Sequence, residues 1–291
     1  MQSHTAGAGR SAPRSRPRAR AAAQARLGAA LGALGPEAVA LLDALGAVRF
    51  LSAPQAAEIA GEAGARRALT ALRRAGLAAA LPYRPAPLAP VQAVWSLTPL
   101  GARAAVARAS HLAGEGGLAD PGLGRRARRL AADPLSALFM AHALATTDLY
   151  LAVRRRAGSA FAWRSGEEAR VTFRSFASAD GRGVLVPDAI VAPADLPYGG
   201  DPLALGGAAL EIDRATMGRA AIERKLLRYR ERVADRGPFG PVLFVAEAEA
   251  RRRWLDSLIR QSGLEGAALG PDGAAGAAAA ALAGALTSHS V

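Results

Sequence analysis

The stretch Ala208-Ala209-Leu210-Glu211-Ile212-Asp213-Arg214, followed by Thr216 and then by Ile222, Leu226, Tyr229 and Val233, decides how this chain is read. Residues 208–212 are mostly apolar and short enough for a buried strand. The later apolar residues recur at helical spacing, and Thr216 is a candidate cap for a helix over about 217–234. Pro241 to Ala246 reads as a second buried strand. A second helix over 248–261 carries Trp254, Leu258 and Ile259. Strand–helix–strand units of this kind favour an α/β sheet.

Working upstream, Asp133-Pro134 opens a long helix to about Arg156, with Leu135, Leu138, His142, Leu149 and Val153 as its inward stripe. Short strands follow near Phe161–Trp163 and Val171–Phe176. Val184 to Val191 is rich in β-formers and holds Pro187-Asp188 in its middle, and a Pro/Gly/Asp loop spans 193–207. Residues 134–262 thus make one α/β domain.

Residues 36–109 read differently. Pro36 starts a helix with Val39, Leu42 and Leu45 on one stripe, and Ser52 caps a short helix with Pro54 in its first turn. Gly61 and Gly64 flank a tight turn. A third helix over roughly 65–75 turns Leu69 and Leu72 inward and Arg66, Arg67, Arg73 and Arg74 outward, and Gly76 ends it. Leu77–Tyr83 and Val91–Leu97 pair as a hairpin, and Thr98 caps a fourth helix. Three helices and a two-stranded wing make a winged helix-turn-helix, with the third helix as the DNA-reading element. A winged helix also serves as a protein-docking module; the exposed arginines favour double-stranded DNA.

The chain has 291 residues, enough for about two domains, with 51% hydrophobic residues, many of them alanine. Its net charge is +13, which favours nucleic acid as partner over an anionic membrane surface. There is no cysteine, so disulfides and thiolate zinc sites are excluded. The four histidines are scattered. Residues 1–35 are low in complexity, with Arg10, Arg14, Arg16, Arg18, Arg20 and Arg26, and read as a disordered basic arm. Residues 110–133 read as a linker carrying the basic run Arg125 to Arg129. Residues 263–291 read as a Gly/Ala-rich low-complexity tail, in which Ala267-Ala268-Leu269 is an edge-strand candidate. No signal peptide or membrane-spanning run is found, and the expectation is a cytoplasmic protein without a membrane partner.

Of 37 basic residues only Lys225 is a lysine. A lysine retained amid arginine marks a place where a compact point charge, with a pKa that responds to burial, differs from a guanidinium. Glu211 and Asp213, two apart on a strand, share one face. If the strand holding Asp188 is their neighbour, three carboxylates converge at one sheet edge. Oxygen ligands of that kind bind Mg²⁺, which polarises a phosphodiester and generates hydroxide. On a helical wheel Lys225 lies about 60° from Ile222, at ~100° per residue, and so borders the buried face. It then either steadies developing charge or forms a structural salt bridge with Glu211 or Asp213. His142 reads as a hydrogen-bonded core histidine ahead of a ligand. Asp148 is a candidate extra ligand. Tyr229 reads as a core residue with its hydroxyl satisfied. Arg214 and Arg219 either hold phosphates or neutralise the acids.

Pro187-Asp188, Glu211 and Lys225 resemble the PD-(D/E)xK nuclease-like superfamily. The resemblance implies a restriction-endonuclease-like α/β fold with Asp188 and Glu211 on the metal. Asp213 stands where that pattern has its lysine, and Lys225 takes the place of a lysine migrated to the next helix. A broader resemblance covers residues 36–262. His142 to Ala152, Pro187-Asp188-Ala189, Glu211 to Thr216, Lys225 to Tyr229 and Pro241 to Val245 resemble, in order, the replication-relaxation family of bacterial and plasmid proteins. It implies DNA binding in plasmid or mobile-element replication or relaxation. Replication or mobilisation proteins and a second copy of the chain are its candidate protein partners. Two alternatives stand beside metal-dependent nicking by Asp188, Glu211, Asp213 and Lys225. One is a non-enzymatic accessory factor on a nuclease-like scaffold, and the other a transcriptional regulator with a small-molecule sensor domain.

Overall fold

The computed structural model describes residues 16–112, 127–128, 137–158, 161–175, 178, 180–194, 203 and 207–288. The first half begins with α1 (Arg16–Gly32) and α2 (Pro36–Val48), the latter opened by Pro36 in its first turn. α2 ends at Arg49, which has φ +72°. This turn directs Phe50 and Leu51, both buried, into β1 (Phe50–Ser52). Ser52 then forms a full capping box with Gln55: each side chain bonds the other's backbone N–H, at 2.9 and 3.4 Å. α3 (Ala53–Ala60) follows. Gly61, at φ +69°, supplies the left-handed turn into α4 (Glu62–Arg74). α4 buries Ala65, Ala68, Leu69 and Leu72 and exposes Arg66, Arg67, Arg73 and Arg74.

β2 (Ala78–Tyr83) and β3 (Gln92–Leu97) form the expected hairpin. β1 joins it on the far side of β3, giving an antiparallel three-stranded sheet in the order β1-β3-β2. That third strand was not evident from three residues of sequence. Thr98 caps α5 (Pro99–Leu112), accepting the Gly101 N–H at 3.0 Å. Gly101 is required there, because a Cβ would lie 1.7 Å from the Leu77 carbonyl oxygen.

The second half opens with α6 (Ala137–Ala157), β4 (Phe161–Ser165) and a 3₁₀ turn over Gly166–Ala169. The run 184–191 splits at Pro187-Asp188. Its first part pairs β6 (Arg182–Leu185) with β5 (Val171–Arg174) as a separate hairpin packed on α7. Its second part becomes β7 (Ala189–Pro193). Next come β8 (Ala208–Ile212), α7 (Arg219–Arg236), β9 (Val242–Val245), α8 (Glu249–Ser262), β10 (Gly266–Leu269) and α9 (Pro271–Ser288). The main sheet runs β10-β9-β8-β7-β4. β8, β9 and β10 are parallel, joined by α7 and α8 as crossovers, and β7 and β4 are antiparallel additions.

Helices cover both faces, which is why β8 and β9 are apolar almost throughout. Ala209, Val242 and Phe244 face Ile222, Leu226 and Tyr229 of α7 and Leu255, Leu258 and Ile259 of α8. Leu210, Ile212, Leu243 and Val245 face Leu149 and Val153 of α6 and Ala274, Ala275, Ala278 and Leu282 of α9. Among the described residues, no helix is long and apolar enough to cross a membrane.

Several sequence expectations are corrected. The stretch read as a low-complexity tail supplies β10 and α9, because alanine is the best helix former and its small side chain packs closely here. Within the stretch read as a disordered arm, Arg16–Gly32 is helical and Leu27 is buried; residues 1–15 lie outside the described residues. So does the 110–133 linker beyond Leu112, apart from helical Ala127 and Arg128. On α6, Leu138 is 65% exposed and Met140 is buried instead. Leu135 lies outside the described residues. Gly218, not Thr216, precedes α7 as its cap residue, and Val233 is half-buried while Arg232 beside it is fully buried. The Arg232 guanidinium is accommodated by the Gly237 carbonyl at 2.7 Å and the ring of Phe239 at 5.0 Å.

Candidate functional site

The antiparallel register of β7 and β8 pairs Ala189 with Leu210. Continued by one residue, it sets Asp188 opposite Glu211. Side-chain bonding agrees, since Asp188 Oδ2 accepts the backbone N–H of Ile212 at 2.7 Å. Pro187-Asp188 and Glu211 thus meet at the ends of two interior strands, not at a sheet edge.

Each carboxylate is held by protein donors. Asp188 Oδ1 lies 3.1 Å from His142 Nε2 on α6. Glu211, fully buried, accepts the Tyr229 hydroxyl on Oε1 at 2.6 Å and the Lys225 ammonium on Oε2. Lys225 and Tyr229 stand one turn apart on α7, so one helix face clamps both oxygens. Asp213 departs from this pair. Its oxygens take Arg251 at the start of α8, and its Oδ1 also accepts the Ala215 N–H at 3.2 Å. Arg251 further donates to the Met217 carbonyl at 2.6 Å and stacks 4.1 Å from the centre of the Trp254 ring. The three acids therefore divide into a coupled pair and a separate ion pair.

Burial raises Glu211, against the pull of Lys225, to about 7. Burial acts in the same direction on Asp188, but the His142 hydrogen bond and the Lys225 charge outweigh it and leave that carboxyl below its ordinary value. Burial would lower Lys225; the charges of Glu211 and Asp188 overcome it and raise the ammonium. The Asp188 hydrogen bond raises His142. Tyr229 is pushed well above its ordinary value by burial and by Glu211, and stays a neutral donor.

Sequence and structure agree on Asp188, Glu211, Lys225 and Tyr229 as one cluster. His142 is corrected: it is no core residue but keeps a side-chain exposure of 29% beside Asp188, itself at 21%. Asp148 does not reach the pair. Its Oδ1 accepts Gln55 Nε2 from α3 at 2.7 Å, across the junction between the two halves. Arg214 is exposed, and Arg219 pairs with Glu223 at 2.7 Å on the surface of α7. Arg251 and Gln55 were missed. Arg251 is one of three consecutive arginines, and Gln55 carries no signal beyond its place in the capping box.

A hydrated Mg²⁺ needs open carboxylate oxygens and room for several waters. All oxygens of Asp188, Glu211 and Asp213 already face protein donors, and Glu211 has no solvent exposure. Among the described residues no three or more His, Asp or Glu side chains are grouped to hold a metal ion. The side chains as they stand do not fit that ion; the cluster neutralises itself with Lys225, Arg251 and His142.

A second candidate surface is α4. Arg66, Arg67, Arg73 and Arg74 are all exposed, and none forms an ion pair with a described residue. Arg26 of α1 is exposed as well. The run at 125–129 lies outside the described residues except for Ala127 and Arg128.

These features define a mixed α/β protein that joins a helical, three-stranded N-terminal half to a five-stranded sheet with an internal carboxylate–ammonium cluster. The chain belongs to the replication-relaxation family, whose model matches residues 42–242, more than half of its length. No curated protein and no solved structure matches it.

Proposed function

We propose that this chain is a duplex-DNA-binding protein acting in plasmid or mobile-element replication or DNA relaxation. In this reading the first half is a winged helix. α4 enters the major groove, the β2–β3 hairpin lies along the backbone, and Arg66, Arg67, Arg73 and Arg74 supply phosphate or base-edge contacts. The observation that carries it is the set of four exposed guanidiniums on α4. The second half is a restriction-endonuclease-like scaffold whose acids are held by their own cations, in keeping with an accessory role. The test is fluorescence anisotropy on duplex DNA across a salt series. Neutralising the four arginines is expected to weaken binding and flatten the dependence of log K on log salt by roughly 0.9 per lost phosphate contact. An unchanged slope rejects α4 as the footprint.

A second reading, strand nicking at the cluster, is favoured by the apposition of Asp188 and Glu211 with Lys225 between α7 and the sheet. It requires Lys225 and Tyr229 to release Glu211 when DNA binds. Supercoiled plasmid incubated with Mg²⁺ or Mn²⁺ tests it. Cleavage that is lost in Asp188→Ala and Glu211→Ala supports nicking, and intact plasmid with the wild type favours the scaffold.

A further inference from the structure

A cleft of about 730 Å³ lies where α2, α5, the end of α6 and β4 meet, between the two halves and away from the Asp188–Glu211 cluster. Its volume falls in the ~300–1,000 Å³ range of small-molecule sites. Tyr150, Phe161 and Trp163 give it an aromatic lining, with Tyr150 edge-on to Trp163 at 5.4 Å. Two of its lining residues hold buried polar atoms that have no partner: the Trp163 indole N–H, in a side chain 92% buried by residue exposure of 8%, and Glu168 Oε1. Buried polar atoms are almost always paired, and an orphaned donor and an orphaned acceptor in one cleft are what a bound molecule satisfies. Arg154 also lines the cleft and has no ion pair among the described residues. The nearby Asp43 carboxylate is already engaged by Arg108, at 2.8 and 2.9 Å.

We propose that this cleft binds a nucleotide. The base lies against the aromatic lining, presents a ring acceptor to Trp163 Nε1–H and donates its amino group to Glu168 Oε1, and its phosphate meets Arg154. An exocyclic amine beside a ring acceptor is the edge that adenine and cytosine present. The three recognition elements come from β4, the 3₁₀ turn and α6, so the site is built where the DNA-facing half docks on the sheet. The nucleotide is supplied either free, as an effector, or as one unit of an unpaired DNA strand.

Calorimetric titration of the full chain with deoxynucleoside monophosphates tests the site. Saturable binding is expected, strongest for dAMP or dCMP. Trp163→Phe keeps the ring and removes the N–H, and Glu168→Met removes the acceptor; each is expected to weaken binding about tenfold, as for one lost desolvated hydrogen bond. Arg154→Met is expected to weaken nucleotide binding and leave nucleoside binding unchanged. An oligonucleotide carrying 2-aminopurine separates the two sources. Fluorescence that rises on binding and is reversed by free nucleotide identifies a strand unit. Monophosphate binding with no such rise identifies a free effector. No saturable binding of any monophosphate and no 2-aminopurine response overturns the proposal, as do wild-type affinities in both Trp163→Phe and Glu168→Met. Because these titrations do not use duplex DNA, their failure is separate from failure of the α4 footprint.

Discussion

The Tyr229 hydroxyl donates to Glu211 Oε1 at 2.6 Å, and both side chains are fully buried. With Lys225 on the other oxygen, the carboxylate has its whole complement of close donors from one face of α7. Breaking such a buried pair from one side leaves an uncompensated charge and costs roughly 3–5 kcal/mol. Lys225→Met is therefore expected to destabilise the fold by about that amount. Lys225→Met combined with Glu211→Gln should recover part of the loss. A double-mutant cycle by urea unfolding checks this. Strictly additive single effects would mean that the two groups do not interact in the folded protein.

The same cluster sets a pH dependence with a definite sign. Glu211 rises from an ordinary 4.5 to about 7 on folding. A group raised on folding contributes stability below its unfolded value and loses that contribution as pH climbs through its folded value. Stability should therefore fall between pH 4.5 and 7 on account of Glu211. His142, also raised, adds a loss in the same direction above its ordinary 6.5. Asp188 is lowered and acts oppositely, its contribution disappearing only as pH drops below about 3.8. Urea midpoints across pH 4 to 8 should decline in the wild type and flatten in Glu211→Gln. An identical slope in that variant would remove Glu211 as the source.

Much of this arrangement is legible in the chain itself, for identifiable reasons. The strand and helix around Glu211 and Lys225 follow from local periodicity, and the lone lysine marked a position where arginine was not used. Pro187-Asp188 interrupts a β-rich run because proline lacks the N–H a ladder needs. The pairing of β7 with β8, which brings Asp188 to Glu211, is long-range and leaves no local trace. The separation of Asp213 from the pair depends on Arg251, supplied by a helix some forty residues further on. β10 and α9 were hidden by composition. A Gly/Ala-rich stretch reads as low complexity until a sheet edge and an apolar face are present to receive Ala274, Ala275, Ala278 and Leu282.

Metal titration discriminates between the accessory and nicking readings. With Glu211 clamped by Lys225 and Tyr229, the free wild type is expected to show no saturable heat with Mg²⁺ or Mn²⁺ below millimolar concentration. Lys225→Met with Tyr229→Phe strips both donors from Glu211 and leaves Asp188 beside it. If the acids can form a cation site at all, that variant should gain Mn²⁺ affinity by at least tenfold, and Glu211→Gln added to it should abolish the gain. Tight Mn²⁺ binding by the wild type would instead show that the clamp opens readily, and would favour nicking.

Gln55 links local and long-range order in one side chain. Its Oε1 accepts the Ser52 N–H and completes the cap of α3, while its Nε2 donates to the Leu144 carbonyl at 3.0 Å and to Asp148 Oδ1 at 2.7 Å on α6. Burial raises Asp148, and the Gln55 hydrogen bond opposes that rise. Gln55→Ala removes a cap partner and two bonds across the junction, so a loss of about 2 kcal/mol is expected. Gln55→Glu keeps the acceptor for Ser52 but sets a carboxylate against Asp148 and the Leu144 carbonyl. It should cost at least as much near neutral pH and recover on acidification. Thr147, which donates to the Phe50 carbonyl at 2.9 Å, and Ser165, which donates to the Ala47 carbonyl at 2.8 Å, hold the same junction. The halves should therefore stay docked in Gln55→Ala while hydrogen exchange quickens locally in α3 and the middle of α6. Exchange unchanged in both helices, with an unaltered melting temperature, would show that Gln55 joins nothing.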